Sequence, residues 1–211
     1  MKWKGEDELV LWLVRHGEST WNILGLIQGQ TDEPTLTRQG WRQAQKLAEL
    51  FRDLPVAAVY ASDLRRAHET ANVLGAALGL QVRPCRALRE RSFGVYENRP
   101  QISLCPAVTG IQAERVVDVH ARPEGGESLD DVYGRAGMFI DWLRYQRHSG
   151  DVVAVAHGGS VRAIRAYCAG LCLSEMPWDE VPNASVWRIA LPGPVLNKDP
   201  QRIQLECGGI R

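Results

Sequence analysis

Three short runs in this chain are apolar at every position: Leu9–Val14, Val56–Tyr60 and Val152–Ala156. Apolar runs of five or six residues without polar alternation predict buried strands. Segments of helical period lie between them. Ala44, Leu47, Ala48 and Phe51 fall at i, i+3, i+4 and i+7 of a helix beginning at Thr37. Ala67, Thr70, Ala71, Leu74 and Leu78 make one face of a second helix, which Ser62-Asp63 can cap and Gly79 ends. Leu129, Val132, Ala136, Phe139, Ile140 and Leu143 form the stripe of a third, starting at Ser128 with Asp131 completing an approximate capping box and terminating at Gly150. A fourth runs from Ser160 to about Ala169. Leu80–Arg83 reads as extended, and Ser185–Leu191 and Arg202–Leu205 as late strands. Strand–helix alternation of this kind predicts an α/β layered fold with a largely parallel sheet. Asn98–Glu124 has no clear period and reads as an irregular or partly helical insertion.

At 211 residues, folding buries roughly 70% of the unfolded surface, enough for one sizeable core without staples. Hydrophobic content of 45% and charged content of 24% exclude global disorder, collagen and coiled coil. Lys+Arg and Asp+Glu both total 25, so no basic excess supports nucleic-acid binding through counterion release. No apolar stretch suits a signal sequence or a membrane span, and a cytoplasmic location is expected. The five cysteines (Cys85, Cys105, Cys168, Cys172, Cys207) are irregularly spaced and lack a Cys-x-x-Cys pair; reduced, mostly buried thiols are expected. Seven tryptophans leave room for an exposed apolar patch, and with it a homodimer.

Chemistry concentrates at strand ends. The first strand runs into Arg15-His16-Gly17-Glu18, and the last all-apolar strand into His157-Gly158-Gly159. In open α/β sheets ligands bind at the carboxyl ends of strands. A glycine after each histidine lets backbone approach a ligand, and the second histidine precedes a helix N-terminus, which favours an anion. His68, His120 and His148 lack this setting and read as surface or helix-face residues. Arg66 lies in the first turn of the second helix, at the same sheet edge as Arg15, while Arg65 points elsewhere. Guanidinium forks match phosphate oxygens. With Glu90, these residues make a cationic pocket containing one acid, which suits a phosphoryl group.

The chain resembles the histidine phosphatase superfamily, in the branch that includes cofactor-dependent phosphoglycerate mutases. The resemblance rests on five ordered blocks: Leu13-Val14-Arg15-His16-Gly17-Glu18-Ser19-Thr20-Trp21-Asn22, continued by Gln28-Gly29; Ser62-Asp63-Leu64-Arg65-Arg66-Ala67; Leu88-Arg89-Glu90 with Phe93-Gly94 and Glu97; Gly125-Gly126-Glu127-Ser128; and His157-Gly158-Gly159. It implies a single three-layer α/β domain over residues 1–211, with a mostly parallel central sheet, helices on both faces and the irregular rim insertion at about 98–124. It implies His16 as the phosphorylated nucleophile, Arg15, Arg66 and His157 as the phosphate pocket, and Glu90 as the acid. Asn22 would contact the phosphate, with Ser19 or Thr20 adding to it; Gly29 and Gly158 complete the substrate-binding set. No metal and no cofactor are implied. Three positions depart from the family pattern: Pro34-Thr35-Leu36-Thr37 is one residue longer than usual, Leu26 stands where many relatives have arginine, and Asn98 where glycine is common. They are rim or loop positions, which bear on substrate choice.

The expected reaction is metal-independent hydrolysis of a small phosphorylated metabolite. A neutral ring nitrogen of His16 attacks phosphorus while its other nitrogen donates to a partner, expected to be a backbone carbonyl. Arg15, Arg66 and a protonated His157 stabilise charge, and Glu90 protonates the leaving oxygen. A phosphoglycerate mutase is the nearest alternative. Such enzymes carry a Tyr-Gly-x-Leu run and a triple proline between the acid and the last histidine, and this chain has neither between Glu90 and Gly125. A phosphate-binding protein without catalysis is the other alternative; His16, Glu90, Arg66 and His157 are all present against it.

Overall fold

The computed structural model describes residues 9–192, Arg147 apart. Five strands make the central sheet: β1 (Leu9–Arg15), β2 (Val56–Ala61), β3 (Val82–Pro84), β6 (Asp151–Ala156) and β7 (Val186–Leu191), in the order β3-β2-β6-β1-β7. All pairings are parallel except β1 with β7. The apolar runs have a direct cause: both faces of the sheet are covered. Leu11, Leu13, Ala58, Tyr60, Val152 and Ala154 face α5 (Leu129–Tyr145) and α6 (Gly158–Cys168). Val14, Val59, Ala61, Val153 and Val155 face α2 (Arg38–Phe51) and α3 (Arg65–Leu78). Side chains alternate between two apolar layers, so polar residues of β1 and β6 are confined to the strand ends, at Arg15 and Asp151. The result is a single α/β domain of three layers. Among the described residues no helix is long and apolar enough to cross a membrane.

Several local details differ from expectation. Ser62 and Asp63 do not cap α3. Leu64 occupies that position without a side-chain cap, because Asp63 is held by Arg89 in a two-pronged pair at 2.6 Å on each oxygen. Helix α5 has the expected Ser128 capping box but ends at Tyr145, with Gln146 already extended, well before Gly150. Helix α6 begins at Gly158, with His157 itself as N-cap, so the glycine pair forms its first turn. Of the described cysteines, only Cys85 is buried; Cys105 and Cys172 are exposed and Cys168 is intermediate. Both exposed thiols lie just outside helices, Cys105 before α4 (Pro106–Thr109) and Cys172 before a short 3-10 turn. Cys207 and Arg202–Leu205 lie outside the described residues.

The rim segment is more ordered than its sequence indicates. It holds a 3-10 turn at Gln101–Ser103, then α4, then the hairpin of β4 (Ile111–Gln112) and β5 (Arg115–Val116). Ala113 and Glu114 at the tip both have positive φ, 46° and 60°. That is the hairpin turn usually built from Asn-Gly or Asp-Gly, which explains why no turn signal is visible there. Asn98, where the family pattern has glycine, also has φ of 65°, a conformation asparagine tolerates better than most residues.

The site's first loop is fixed by backbone contact with α2. A Cβ on Gly17 would lie 2.6 Å from the Gly40 oxygen, and one on Gly40 would lie 2.1 Å from the Glu18 oxygen. The Thr37 N–H donates to the same Glu18 oxygen at 2.9 Å. Gly17 therefore serves helix packing, whereas the sequence suggests ligand approach. Gly40→Ala is expected to lower the urea midpoint, with little change in m, by about 1–3 kcal/mol of stability, the usual cost of overpacking. An unchanged midpoint would show that this contact yields freely.

Candidate active site

Strands β1 and β6 pair with Arg15 opposite Ala156, so His16 and His157 leave the sheet side by side. The His16 N–H extends the ladder by donating to the Ala156 carbonyl at 3.0 Å. The two rings lie 5.1 Å apart between centroids, both fully enclosed. His16 Nδ1 is 2.7 Å from the Gly17 carbonyl. A carbonyl can only accept, so Nδ1 carries the proton and Nε2 keeps its lone pair. Burial pushes His16 well below the usual imidazole range, the Arg66 and Arg15 charges add to that, and the Gly17 hydrogen bond opposes it.

Arg15 donates to the Val181 carbonyl. Arg66, buried at the start of α3, donates to the carbonyls of Gly29 at 2.8 Å and Thr31 at 3.1 Å. Its neighbour Arg65 points outward to Glu69 at 2.9 Å. Burial lowers Arg66 to about 10, against the raising effect of Glu90, Asp32 and Glu97; it remains a cation. Three groups around His16 hold buried polar atoms with no hydrogen-bond partner among the described residues: Arg15 Nε, Arg66 Nε and both ring nitrogens of His157. Burial, then the charges of Arg66, His16, Arg135 and Arg15, push His157 well below the imidazole range. The sequence reading has this ring protonated; the protein alone drives it towards the neutral form.

Glu90 follows a 3-10 turn (Arg86–Leu88) that packs against α5. Its Oε1 accepts from the Arg91 N–H at 2.8 Å and the Gly159 N–H at 3.0 Å, and Oε2 lies 3.1 Å from Gly159 N. The anion at the N-terminus of α6 is therefore the protein's own carboxylate. A Cβ on Gly159 would stand 2.3 Å from Oε1, so it is the second glycine, rather than Gly158, that the acid requires. Gly158 lines the adjoining cavity.

The remaining expected residues divide. Ser19 is the N-cap of α1 (Thr20–Leu24), accepting from the Asn22 N–H at 3.3 Å while its hydroxyl lies 2.8 Å from Gln28 Oε1. That hydroxyl is committed to the cap. Thr20 opens α1, and its N–H donates to the Thr35 carbonyl. Asn22 Oδ1 accepts from the Ser19 N–H at 3.0 Å and from Asn183 Nδ2 at 3.1 Å, which leaves its own Nδ2 as the free donor. Gly29 contributes its carbonyl to Arg66.

Sequence reasoning missed three residues. Asn183 also donates to the His16 carbonyl at 3.2 Å. Arg162, on α6, adjoins Glu90 and Arg15 electrostatically, donates to the Asp179 carbonyl at 2.9 and 2.7 Å, and lies over Trp178 at 4.7 Å. Arg135 of α5 grips the Glu90 backbone. The helical stripes could have placed both arginines one turn from buried positions, but nothing in the sequence says what they touch. A cavity of about 250 Å³ opens beside Arg15 and Glu90, with Phe93, Met176, Trp178 and Arg162 among its walls. The arrangement offers an oriented ring nitrogen, fixed cations and a carboxyl group at the mouth of a small, partly apolar pocket.

Comparison with known proteins identifies the family and the fold. The family model of the histidine phosphatase superfamily (branch 1) matches residues 11–194. Phosphoglycerate mutase-like protein 4 of Arabidopsis thaliana is 39% identical over 160 residues, 72% of this chain and 67% of its own length. The probable phosphoglycerate mutase GpmB of Yersinia pestis is 32% identical over 206 residues, 90% of this chain and 95% of its own. A solved mycobacterial glucosyl-3-phosphoglycerate phosphatase, in complex with VO3, superposes with a TM-score of 0.75 at 31% identity, over 85% of this chain and 90% of that one. In sequence and in fold alike, the chain belongs to branch 1 of the histidine phosphatase superfamily.

Proposed function

We propose that the protein is a metal-independent phosphomonoester hydrolase that works through a phosphohistidine on His16. The observation that carries this reading is the set of buried polar atoms on Arg15, Arg66 and His157 without partners among the described residues, beside a histidine whose Nδ1 is already committed. Buried polar groups are rarely left unmatched, and a phosphoryl group supplies the missing acceptors. In this reading His16 Nε2 forms a bond to phosphorus as the ester P–O bond breaks. Arg15, Arg66, His157 and Asn22 Nδ2 hold the non-bridging oxygens. The bound phosphate dianion offsets the neighbouring cations and brings a proton onto Glu90; Glu90 gives that proton to the leaving oxygen, then takes one from the water that attacks phosphohistidine, restoring both groups. The cavity beside Glu90 receives the leaving group. The likeness to a phosphatase structure and the lack of the mutase-type segment after Glu90 favour hydrolysis over mutase transfer.

The purified protein is expected to release inorganic phosphate from members of a panel of phosphoglycerates, sugar phosphates and nucleotides with EDTA present. His16→Ala is expected to abolish both release and phosphohistidine formation while remaining folded. Isomerisation of 3-phosphoglycerate without phosphate release would show a mutase; turnover by His16→Ala would remove the nucleophile assignment.

The histidines also fix a pH dependence. Burial depresses His16 and His157 in the folded state, so the unfolded chain binds more protons below about pH 6.5. Their neutral forms support stability above that pH, and the support is lost as pH falls through it towards the lower folded values. Each histidine is expected to cost at most on the order of 1 kcal/mol at one unit below the free-imidazole pKa. Tm should therefore fall between about pH 7.5 and about pH 5.5. Inorganic phosphate should lessen the fall, because a bound dianion favours the imidazolium of His157. A flat profile would contradict the assignment of two enclosed, neutral histidines.

A further inference from the structure

Gln30 stands between two carbonyls that hold one arginine: Gly29 O and Thr31 O both accept from Arg66. Its side chain reaches the other way, with Nε2 donating to the Glu90 carbonyl at 3.0 Å and to Glu127 Oε2 at 3.1 Å. The same Glu90 carbonyl accepts from Arg135 Nη2 at 3.0 Å. Arg135 places its remaining donors on the carbonyls of Ala87 (2.9 Å) and Arg89 (2.6 Å) and on Glu127 Oε1 and Oε2 (3.1 Å each). Five guanidinium N–H groups thus meet five acceptors, in a fork that an ammonium group cannot reproduce. Glu127 Oε2 closes the network on the Ser92 N–H at 2.9 Å.

From this we infer that Gln30, Glu127 and Arg135 form a positioning device that sets the spacing between the phosphate-holding Arg66 and the proton-donating Glu90. The inference rests on the hydrolase reading above and deepens it. The carbonyls of Gly29 and Thr31, on either side of Gln30, hold one group, and the Gln30 side chain holds the other. Arg135 and Glu127 hold the acid's loop from the opposite side, through α5. The three residues act through Glu90: they fix its backbone, so its carboxyl oxygens meet the Gly159 N–H and the leaving oxygen without a search. A displacement of about 1 Å can cost on the order of 100-fold in rate, and here it falls on proton donation alone.

The test compares first-step rates for an alkyl phosphate and for nitrophenyl phosphate, whose leaving group needs little protonation, in Gln30→Ala, Arg135→Lys and Glu90→Gln. Gln30→Ala removes the side-chain arm and keeps the backbone arms to Arg66. Gln30→Ala and Arg135→Lys are each expected to lose about 10- to 100-fold on the alkyl ester, within the range of impaired general-acid catalysis, and several-fold less on the nitrophenyl ester. The double variant Glu90→Gln/Gln30→Ala is expected to be no slower on the alkyl ester than Glu90→Gln alone, because a residue that acts through the acid has nothing further to lose. Equal losses on both esters in Gln30→Ala, or additive losses in the double variant, would overturn the positioning role. Should Arg135→Lys fail to fold, Gln30→Ala decides. If Glu90→Gln shows no difference between the esters, the acid assignment fails and the inference falls with it; if Glu90→Gln shows the difference and Gln30→Ala does not, only the inference falls.

Discussion

The pairing of β1 with β6 sets everything else. These neighbouring parallel strands are apolar on both faces and enclosed by helices on both sides. Their register brings Arg15 opposite Ala156, and the hydrogen bond from His16 N–H to the Ala156 carbonyl carries the ladder one residue past the strand. The 5.1 Å between the two imidazoles follows from strand spacing more than from any side-chain contact. On the other flank the approach to β7 closes on His16: the Ala184 N–H and Asn183 Nδ2 both donate to its carbonyl. The ring therefore inherits the rigidity of the core, which is what a site relying on positioning needs.

Burying several cations together is costly, and the way their donors are satisfied separates two kinds of arginine. Arg89 is matched by both oxygens of Asp63, and Arg65 by Glu69; those charges are cancelled locally. Arg15 and Arg66 make their hydrogen bonds to backbone carbonyls, of Val181, Gly29 and Thr31. A carbonyl satisfies a donor without removing the charge, so the positive potential survives where an anion would sit. Glu90 is the counter-charge that raises Arg15 and Arg66, yet its own hydrogen bonds come from main-chain N–H groups of Arg91 and Gly159. Acid and cations share a field without forming a closed ion pair, which leaves each of them available to a phosphoryl group.

The layered fold was legible because burial on both faces demands continuous apolar runs, and one helix cap was legible because Ser128 bonds as a cap residue does. His16, His157 and Arg66 could be placed at one edge because strand ends and a first helical turn meet there. What stayed hidden was decided by tertiary contact. Leu64 begins α3 because Asp63 is drawn to an arginine 26 residues away. Ala113 and Glu114 turn a hairpin without glycine or asparagine. Arg135 has the spacing of an ordinary helix arginine, and only the folded chain brings the carbonyls of residues 87, 89 and 90 to it. Ser19 matched the family block, but its hydroxyl caps the helix that carries Asn22.

Arg91 joins the rim insertion to the acid. Its guanidinium donates to the carbonyls of Thr109, Val108, Ala121 and Glu127, while its own N–H donates to Glu90 Oε1. Burial lowers this cation to about 10 against the raising effect of Glu90 and Glu127, so it keeps its charge although its guanidinium bonds no carboxylate among the described residues. The rim insertion, which lends Gln101 to the cavity wall, is thus tied, through one residue, to the group proposed to move the proton. A chain that altered its rim to admit a different leaving group would shift the carbonyls on which Arg91 rests and, with them, the peptide that orients Glu90. In the proposed reaction the rim and the acid share one support, so the packed contacts of Arg91 bear on both at once.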